Sequence, residues 1–287
     1  MDSSGGFTNP PPPPPPPPGG AGGTGGPGLP QRGIGEILST AFEIYKANAA
    51  GLLLIVAIVV VPLSFIGAFI EGVLFAPDTE TVTVLGETFE SVSPRAAGVA
   101  ILVALVGALI AVVINAVLQA ALMRGAALGS IGDPVDIDAS YKWGFARFGS
   151  VLLISILVGL AVIGGLILLI IPGLIFLVMF SVSIPALVVE NLRGTEAMSR
   201  SWNLVKGFFW HALGVIVVAA IIGAVVGGIL GAIGGSNWFL AWIFQAIAQI
   251  ITAPFAAIVS VLLYLDLRAR REALTADVLR GELNRAS

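Results

Sequence analysis

The sequence predicts an all-α fold, a polytopic membrane bundle of six transmembrane helices arranged as three hairpins. The chain has 287 residues, of which 57% are hydrophobic and only 11% are charged, whereas a soluble domain carries about 25% charged residues. Its apolar runs are long enough for six crossings, since a helix needs about 20 apolar residues to cross the hydrocarbon core. A repeated pattern of a serine, an aromatic and a basic residue also precedes each predicted hairpin.

The composition divides the chain into three segments. Residues 1–32 are rich in proline and glycine, with nine consecutive prolines at positions 10–18, and we expect a disordered cytoplasmic tail there. Residues 33–270 form the predicted six-helix membrane domain. Residues 271–287 follow as a short cytoplasmic C-terminal tail.

Six apolar runs define the predicted spans. They lie at about residues 50–74, 97–123, 151–171, 173–189, 212–233 and 238–265. Residues 151–189 carry no charge and are too long for one crossing, so the chain must reverse within them. Pro172-Gly173 is the predicted turn, because proline ends a helix and glycine permits a reversal. Polar and apolar residues alternate on either side of positions 85 and 86, which predicts a small β-hairpin between the first two spans.

The distribution of basic residues predicts the orientation in the membrane. Thirteen of the fourteen lysines and arginines fall on one side of the predicted spans, and Arg95 falls on the other. Cytoplasmic loops carry an excess of basic residues, so we expect both termini in the cytoplasm. An even number of spans places the termini on the same side independently.

An eight-residue box, Ser-x-x-aromatic-x-x-x-basic, occurs three times. Its members are Ser39, Phe42 and Lys46; Ser140, Trp143 and Arg147; and Ser199, Trp202 and Lys206. Apolar residues around the boxes follow helical spacing, which predicts a cytoplasmic interfacial amphipathic helix before each hairpin. In the second box, Lys142 interrupts the apolar stripe. The boxes indicate either a threefold pseudo-repeat around a central site or three independent membrane anchors.

Two pairs of amides lie inside the predicted spans. Asn115 and Gln119 are four residues apart in the second span, and Gln245 and Gln249 are four apart in the sixth. Each pair therefore shares one helix face, and polar amides in lipid need partners, so we expect both faces to point into the bundle. They either line a polar cavity or form interhelical hydrogen bonds, and we favour the hydrogen bonds.

The fifth span carries a stripe of small residues. Gly223, Gly227, Gly231 and Gly235 recur every four residues, which allows another helix backbone to approach closely. We expect this helix-packing face to contact a neighbouring span or a second protein.

Several classes of chemistry lack their residues here. The chain has no cysteine and a single histidine, His211, which excludes thiolate and multi-histidine metal sites. No span carries a charge at its centre, which argues against an ion-coupled pump. We expect no catalytic residue, no cofactor, no metal and no nucleic-acid partner, and we interpret His211 as an ordinary interfacial residue.

One segment has a specific spelling, P-x4-E-x6-A-x3-S-W-x-L-x-K-G-x2-W. Its residues are Pro185, Glu190, Ala197, Ser201, Trp202, Leu204, Lys206, Gly207 and Trp210. The segment resembles the membrane domain attached to some bacterial glycerophosphoryl diester phosphodiesterases, and related six-span bacterial membrane proteins. The resemblance implies this fold over residues 33–270 and a bacterial plasma membrane. The histidine pair of the separate phosphodiesterase domain has no counterpart here, so it implies no catalytic residue.

The sequence thus favours a non-enzymatic, multi-pass protein of the bacterial plasma membrane that scaffolds or regulates partner proteins or lipids. Besides membrane lipids, a protein partner could bind the proline-rich tail or the glycine stripe. The alternative is a transporter or channel for a small or lipid-like solute. An intramembrane enzyme acting on phospholipid ranks third, because the spans lack a convergent acid–base set.

Overall fold

Helices make up most of the chain that a computed structural model describes, which covers residues 29–69, 79–84, 87–92, 94–235, 237–272 and 274–286. The helices are α1 (Ile34–Ala47), α2 (Ala49–Phe69), α3 (Pro94–Ser130), α4 (Ile137–Leu168), α5 (Ile170–Met179), α6 (Ser183–Glu190), α7 (Thr195–Val205), α8 (Phe209–Gly234), α9 (Trp238–Glu272) and α10 (Ala276–Ala286). The predicted helical class is confirmed. Apart from residues 29–32, the predicted proline-rich tail lies outside the described residues.

A short hairpin connects α2 to α3. Strand β1 (Thr79–Val84) pairs antiparallel with β2 (Glu87–Val92), so that Val84 stands opposite Glu87. The two strands cover the positions on either side of residues 85 and 86, where the sequence predicts a hairpin. Because they lie between two long apolar helices, they leave the helical class of the bundle unchanged.

Six helical stretches are long and apolar enough to cross a membrane, as expected of a multi-pass membrane protein. They are Ala49–Gly67, Ile110–Ser130, Ile137–Leu168, Ile170–Glu190, Phe209–Gly234 and Phe239–Glu272. The predicted number of spans is therefore confirmed in the described residues, but several ends differ. Helix α3 continues past the predicted end at residue 123, and α9 continues past residues 265 and 270 through charged side chains. Charged residues end an apolar run without ending a helix.

The chain reverses between the third and fourth spans at Leu169, not at the predicted Pro172-Gly173. Leu169 has an extended backbone, with φ −163° and ψ 144°. Pro172 instead lies in the first turn of α5, where a missing N–H costs nothing. Two glycines permit the close approach of α4 and α5 here. A Cβ added at Gly173 would lie 2.5 Å from Leu166 Cγ, and a Cβ added at Gly165 would lie 2.8 Å from Gly173 Cα.

The fourth span is broken between α5 and α6. Residues 180–182 form a turn, and Pro185 lies in the first turn of α6 rather than at the break. The hydroxyl of Ser181 donates to the Val178 carbonyl at 2.8 Å. Ser201, buried on α7, donates to the Met179 carbonyl at 2.8 Å. The two carbonyls at the break thus accept hydrogen bonds from side chains of the protein itself, as a membrane interior requires.

The three boxes do not share one setting. The first lies on α1, and the third lies on α7 with Lys206 just beyond its end. The second lies in the first turns of α4, so the separate amphipathic helix predicted before the third span is absent from the described residues. Nothing interrupts the helix there, because no proline occurs between Ile137 and the span. The Asp136 carboxylate accepts a hydrogen bond from the Ala139 N–H at 3.0 Å and begins α4 earlier than predicted.

The second half of α9 is the centre of the described core. It packs against α1, α2, α3, α6, α7 and α8. Its side chains Ile258, Val261 and Tyr264 are completely buried. The charged residues that follow on α9 are therefore carried into the middle of the helices at this end of the bundle.

We predict that Gly173→Ala destabilises the protein by about 1–3 kcal/mol, because the added methyl overlaps Leu166 and must push α4 and α5 apart. Gly159→Ala is the matched control, since an added Cβ on that glycine of α4 meets nothing within 4 Å. Thermal unfolding in detergent measures both variants. Equal melting temperatures for the two would show that the close crossing of α4 and α5 does not matter.

Candidate functional site

Helix α9 ends in a run of alternating charges. Tyr264, Arg268 and Glu272 follow each other every four residues on one face, and Asp266 and Arg270 do so on another. The side chains of Asp266 and Arg268 are buried. We call this part of the molecule the charged end of the bundle. Its two faces bind different neighbouring elements.

On one face, Glu190 at the end of α6 connects three helices. Its carboxylate accepts hydrogen bonds from Arg200 Nε on α7 at 2.7 and 3.0 Å. It also accepts one from the Tyr264 hydroxyl on α9 at 2.5 Å. Arg268 Nε lies 3.6 Å from the same carboxylate. The glutamate of the family-like motif is therefore an ion-pair partner at a helix junction.

Arg268 extends this cluster to α10. It donates to the two Glu282 oxygens at 2.6 and 3.1 Å and to Glu272 at 3.0 Å. Arg200 donates to Glu272 at 2.8 Å. We name Glu190, Arg200, Tyr264, Arg268, Glu272 and Glu282 the Arg268 network. Its three carboxylates and two guanidinium groups compensate one another, as charges removed from water require.

The pKa of Arg200 reflects these contacts. Burial by itself lowers the pKa of the guanidinium, but hydrogen bonds to Glu272 and Glu190 and the charges of both carboxylates raise it above its ordinary value. Arg200 therefore stays charged throughout the accessible pH range. It is an ionic link and not a proton donor.

On the other face, Asp266 is completely buried, and both oxygens of its carboxylate have partners. One carboxylate oxygen accepts from Arg270 Nε at 2.7 Å and lies 3.0 Å from His211 Nε2 on α8. The other accepts the backbone N–H of Arg32 at 2.7 Å. Arg270 also donates to the Arg32 carbonyl at 2.7 Å. We name Arg32, His211, Asp266 and Arg270 the Asp266 cluster; it fastens the segment before α1 and the start of α8 to α9.

The sequence interpretation of His211 as an ordinary interfacial residue is wrong, because its ring contacts the buried Asp266. Asp266 itself was missed. The signal that points to it is the pairing of Asp266 with Arg270 and of Arg268 with Glu272, opposite charges four residues apart at the end of an apolar run. Such spacing is typical of ion pairs on one helix.

The family-like motif divides into an inner and an outer part. Ala197, Ser201 and Leu204 are buried. Trp202 packs against Phe176 and Phe180, with ring centroids 6.4 and 5.8 Å apart. Lys206 and Trp210 are exposed. An added Cβ at Gly207 would lie 2.7 Å from the Arg271 side chain. The inner part joins α6 to α7, and the outer part lies at the surface of the charged end.

The aromatic residues of the three boxes have three different partners. Lys46 Nζ lies 4.8 Å above the Phe42 ring. Trp143 instead packs against Arg124, whose guanidinium lies 5.5 Å from the centre of the ring. Trp202 packs against phenylalanines. The serines differ as well, since Ser140 is completely buried while Ser39 and Ser199 are exposed; Arg147 is half-buried. The boxes therefore do not line one common site.

Arg124 is a buried charge with no carboxylate partner among the residues that the structure describes. It is 5% exposed, and its Nε and Nη1 atoms have no hydrogen-bond acceptor. The Trp143 ring is its closest electrostatic compensation, of a kind worth about 2 kcal/mol when removed from water. Trp143 of the second box thus covers a buried cation.

The amide faces do not point into the bundle, so this prediction is wrong. Asn115 is exposed and accepts a hydrogen bond from Gln119 Nε2 at 2.8 Å on the same helix. Gln245 and Gln249 are exposed on α9. The inner side of α3 is occupied by small residues such as Ala120, which let α4 approach closely. Because Asn115, Gln245 and Gln249 are exposed and only Gln119 is half-buried, the four amides do not line a common cavity.

The glycine stripe of α8 is open. At Gly223, Gly227, Gly231 and Gly235 an added Cβ would meet no atom within 4 Å. The close contact between α8 and α9 uses Gly234 instead, where an added Cβ would lie 2.8 Å from the Ala241 Cα. The stripe is therefore not the packing face of a neighbouring described span, and its use by a second protein stays a prediction.

We predict that Asp266→Ala destabilises the protein by about 3 kcal/mol or more, because His211 and Arg270 lose their buried carboxylate. Trypsin should also cut faster after Arg32, whose backbone groups are released. Mass spectrometry of timed digests measures the cleavage, and thermal unfolding measures the stability. Asp277→Ala on the exposed start of α10 is the control. Wild-type protection of Arg32 in Asp266→Ala would contradict the fastening role.

Tyr264→Phe removes two hydrogen bonds from the Arg268 network without changing its charge: the one that the hydroxyl donates to Glu190, and the one that it accepts from Arg268 Nη1 at 3.2 Å. We expect a loss of about 1–2 kcal/mol, because the Glu190 carboxylate keeps its burial but loses a donor. Tyr45→Phe should be nearly neutral, since the Tyr45 hydroxyl has no partner among the described residues. Chemical or thermal unfolding in detergent compares them, and a neutral Tyr264→Phe would argue against the short contact to Glu190.

No protein-family model matches the sequence, and no curated protein or solved structure is significantly similar to it. The resemblance of positions 185–210 to a phosphodiesterase-associated membrane domain therefore stays a prediction.

Proposed function

We propose that the protein is a non-enzymatic scaffold of the bacterial plasma membrane that holds partner proteins or lipids. The observation that carries this proposal is the use of the buried charges at the charged end. Glu190, Asp266 and Arg268 all bind other side chains of the same bundle. Groups held this way fasten helices together and leave no free acid–base pair for a reaction.

The orientation supports the same function. The charged end carries Arg200, Arg268, Arg270 and Arg271, and an excess of basic residues is typical of the cytoplasmic side. The segment before α1 and helix α10 both reach this end. We therefore assign both termini and the charged end to the cytoplasm, where the proline-rich tail could bind an aromatic-lined partner domain.

The open face of α8 supports a protein partner in the membrane. Of the six candidate spans, α8 has the smallest buried share, and Gly227 and Gly231 leave its backbone accessible. A helix of a partner can approach such a face closely. The resemblance to a domain attached to enzymes agrees with a role in anchoring or positioning another protein.

The alternative function, a transporter or channel, loses its main sequence support. That proposal required the amides Asn115, Gln119, Gln245 and Gln249 to lie around a common path, whereas three of them are exposed and Gln119 is half-buried and bonded to Asn115 on the same helix. We therefore rank the scaffold first.

The scaffold proposal predicts a specific complex in mild detergent. Native mass spectrometry of the purified protein should detect a defined partner or a second copy. Combined Gly227→Leu and Gly231→Leu should reduce the complex at least tenfold, because the side chains block close helix approach. Gly164→Leu on α4, another glycine with open space, is the control. A bare monomer, together with solute flux in proteoliposomes that Asn115→Leu and Gln245→Leu abolish, would favour the transporter instead.

A further inference from the structure

A groove runs between α8 and α9 and ends beneath α1. Its volume is about 840 Å³, within the range of small-molecule sites. Small side chains open it, including Ala219 and Gly223 on α8 and Ala256 on α9. Phe42 of α1, which is 54% exposed, stands at the end nearer the charged end. The groove is open to the surroundings along the outside of the bundle.

The groove presents hydrocarbon to its occupant. Three hydroxyl groups in its lining donate to carbonyls of their own chain segments and not to the groove. Ser39 donates to Glu36 at 3.1 Å, Ser181 to Val178 at 2.8 Å and Thr252 to Ala248 at 2.7 Å. Tyr45 and Ser260 add two further hydroxyls to the lining, and its other residues are apolar. Such a surface selects an alkyl chain over a polar solute.

The groove has the length of one membrane leaflet. Along α9 it extends from Ile251 to Leu263, which at about 1.5 Å per residue is roughly 18 Å. This is slightly more than half of a hydrocarbon core of about 30 Å. Helix α1 lines the groove with Leu38, Ser39, Phe42 and Tyr45. A partner helix about 10 Å wide would have to stop at α1, whereas a lipid changes there from acyl chain to headgroup.

A cation lies beside the part of the groove that α1 lines. Lys46 is exposed, and its Nζ lies 4.8 Å from the centroid of the Phe42 ring that lines the groove. An aromatic ring and a lysine at the depth of the headgroups are typical of lipid contacts. A basic residue near the membrane surface attracts anionic lipid.

We propose that the groove between α8 and α9 binds one anionic phospholipid of the leaflet at the charged end. Its acyl chain lies against Ala219, Gly223 and Ala256, and its phosphate lies at Lys46. The inference rests on the proposed function, since the lipid is one of the partners that the scaffold would hold. The first box then has a use of its own: Phe42 lines the groove, and Lys46 supplies the charge.

The test uses the full chain in nanodiscs that contain equal amounts of phosphatidylglycerol and phosphatidylcholine. A trace of phosphatidylglycerol carries a photoreactive diazirine on its acyl chain, and peptide mass spectrometry maps the crosslinks. We expect crosslinks on the facing sides of α8 and α9. Gly223→Leu, which fills the groove, should reduce them about tenfold. Gly228→Leu, on the same helix with open space around it and outside the lining, should leave them unchanged.

The headgroup contact is tested separately. Lys46→Gln should reduce the preference for phosphatidylglycerol over phosphatidylcholine about fivefold, the effect of removing one lysine at an anionic surface. Lys206→Gln, at the corresponding exposed position of the third box, is the control. If Gly223→Leu fails to fold, Ala256→Leu fills the groove from α9.

Three results would overturn the lipid site. Equal crosslinking in the Gly223 and Gly228 variants would show a non-specific lipid annulus. Crosslinks confined to other faces of the bundle would place the lipid elsewhere. Loss of a dimer in Gly223→Leu, with crosslinking unchanged, would assign the groove to a second copy. Native mass spectrometry separates lipid from protein partners, so the lipid site can fail while the scaffold proposal stands.

Discussion

The fold depends on a carboxylate that has no access to solvent. Asp266 lies on the helix at the centre of the core, and a buried unpaired carboxylate would cost several kcal/mol. Three elements supply its donors: the backbone of Arg32, the ring of His211 and the guanidinium of Arg270. The need to compensate the Asp266 charge therefore fixes the segment before α1 and the start of α8 against α9. Two residues further along α9, Arg268 imposes the same requirement on α6 and α10.

The parts of this structure that follow from composition could be predicted from the sequence. Six apolar runs give six helical spans, because lipid admits few other backbone arrangements. Local chemistry was less informative. Pro172-Gly173 is a good turn signal, yet proline is equally acceptable in the first turn of a helix, and the glycine is needed for the crossing with α4. Only the packing distinguishes these uses.

The candidate sites show the same limit. Asn115 and Gln119 need hydrogen-bond partners in lipid, and the sequence cannot reveal that they satisfy each other on one helix. The boxes share a spelling, but Phe42, Trp143 and Trp202 contact a lysine, a buried arginine and phenylalanines, because their neighbours come from distant segments. Asp266 lies at the end of an apolar run, and its i, i+4 spacing to Arg270 was the available signal.

The central claim is that the buried charges fasten helices to one another. A double-mutant cycle of Asp266→Ala and His211→Ala, measured by unfolding in detergent, tests it most directly, since this pair joins α9 to α8. If the contact is real, the double variant should be more stable than the sum of the single effects predicts, with a coupling of about 1–3 kcal/mol. Additive effects, within about 0.5 kcal/mol, would contradict the account.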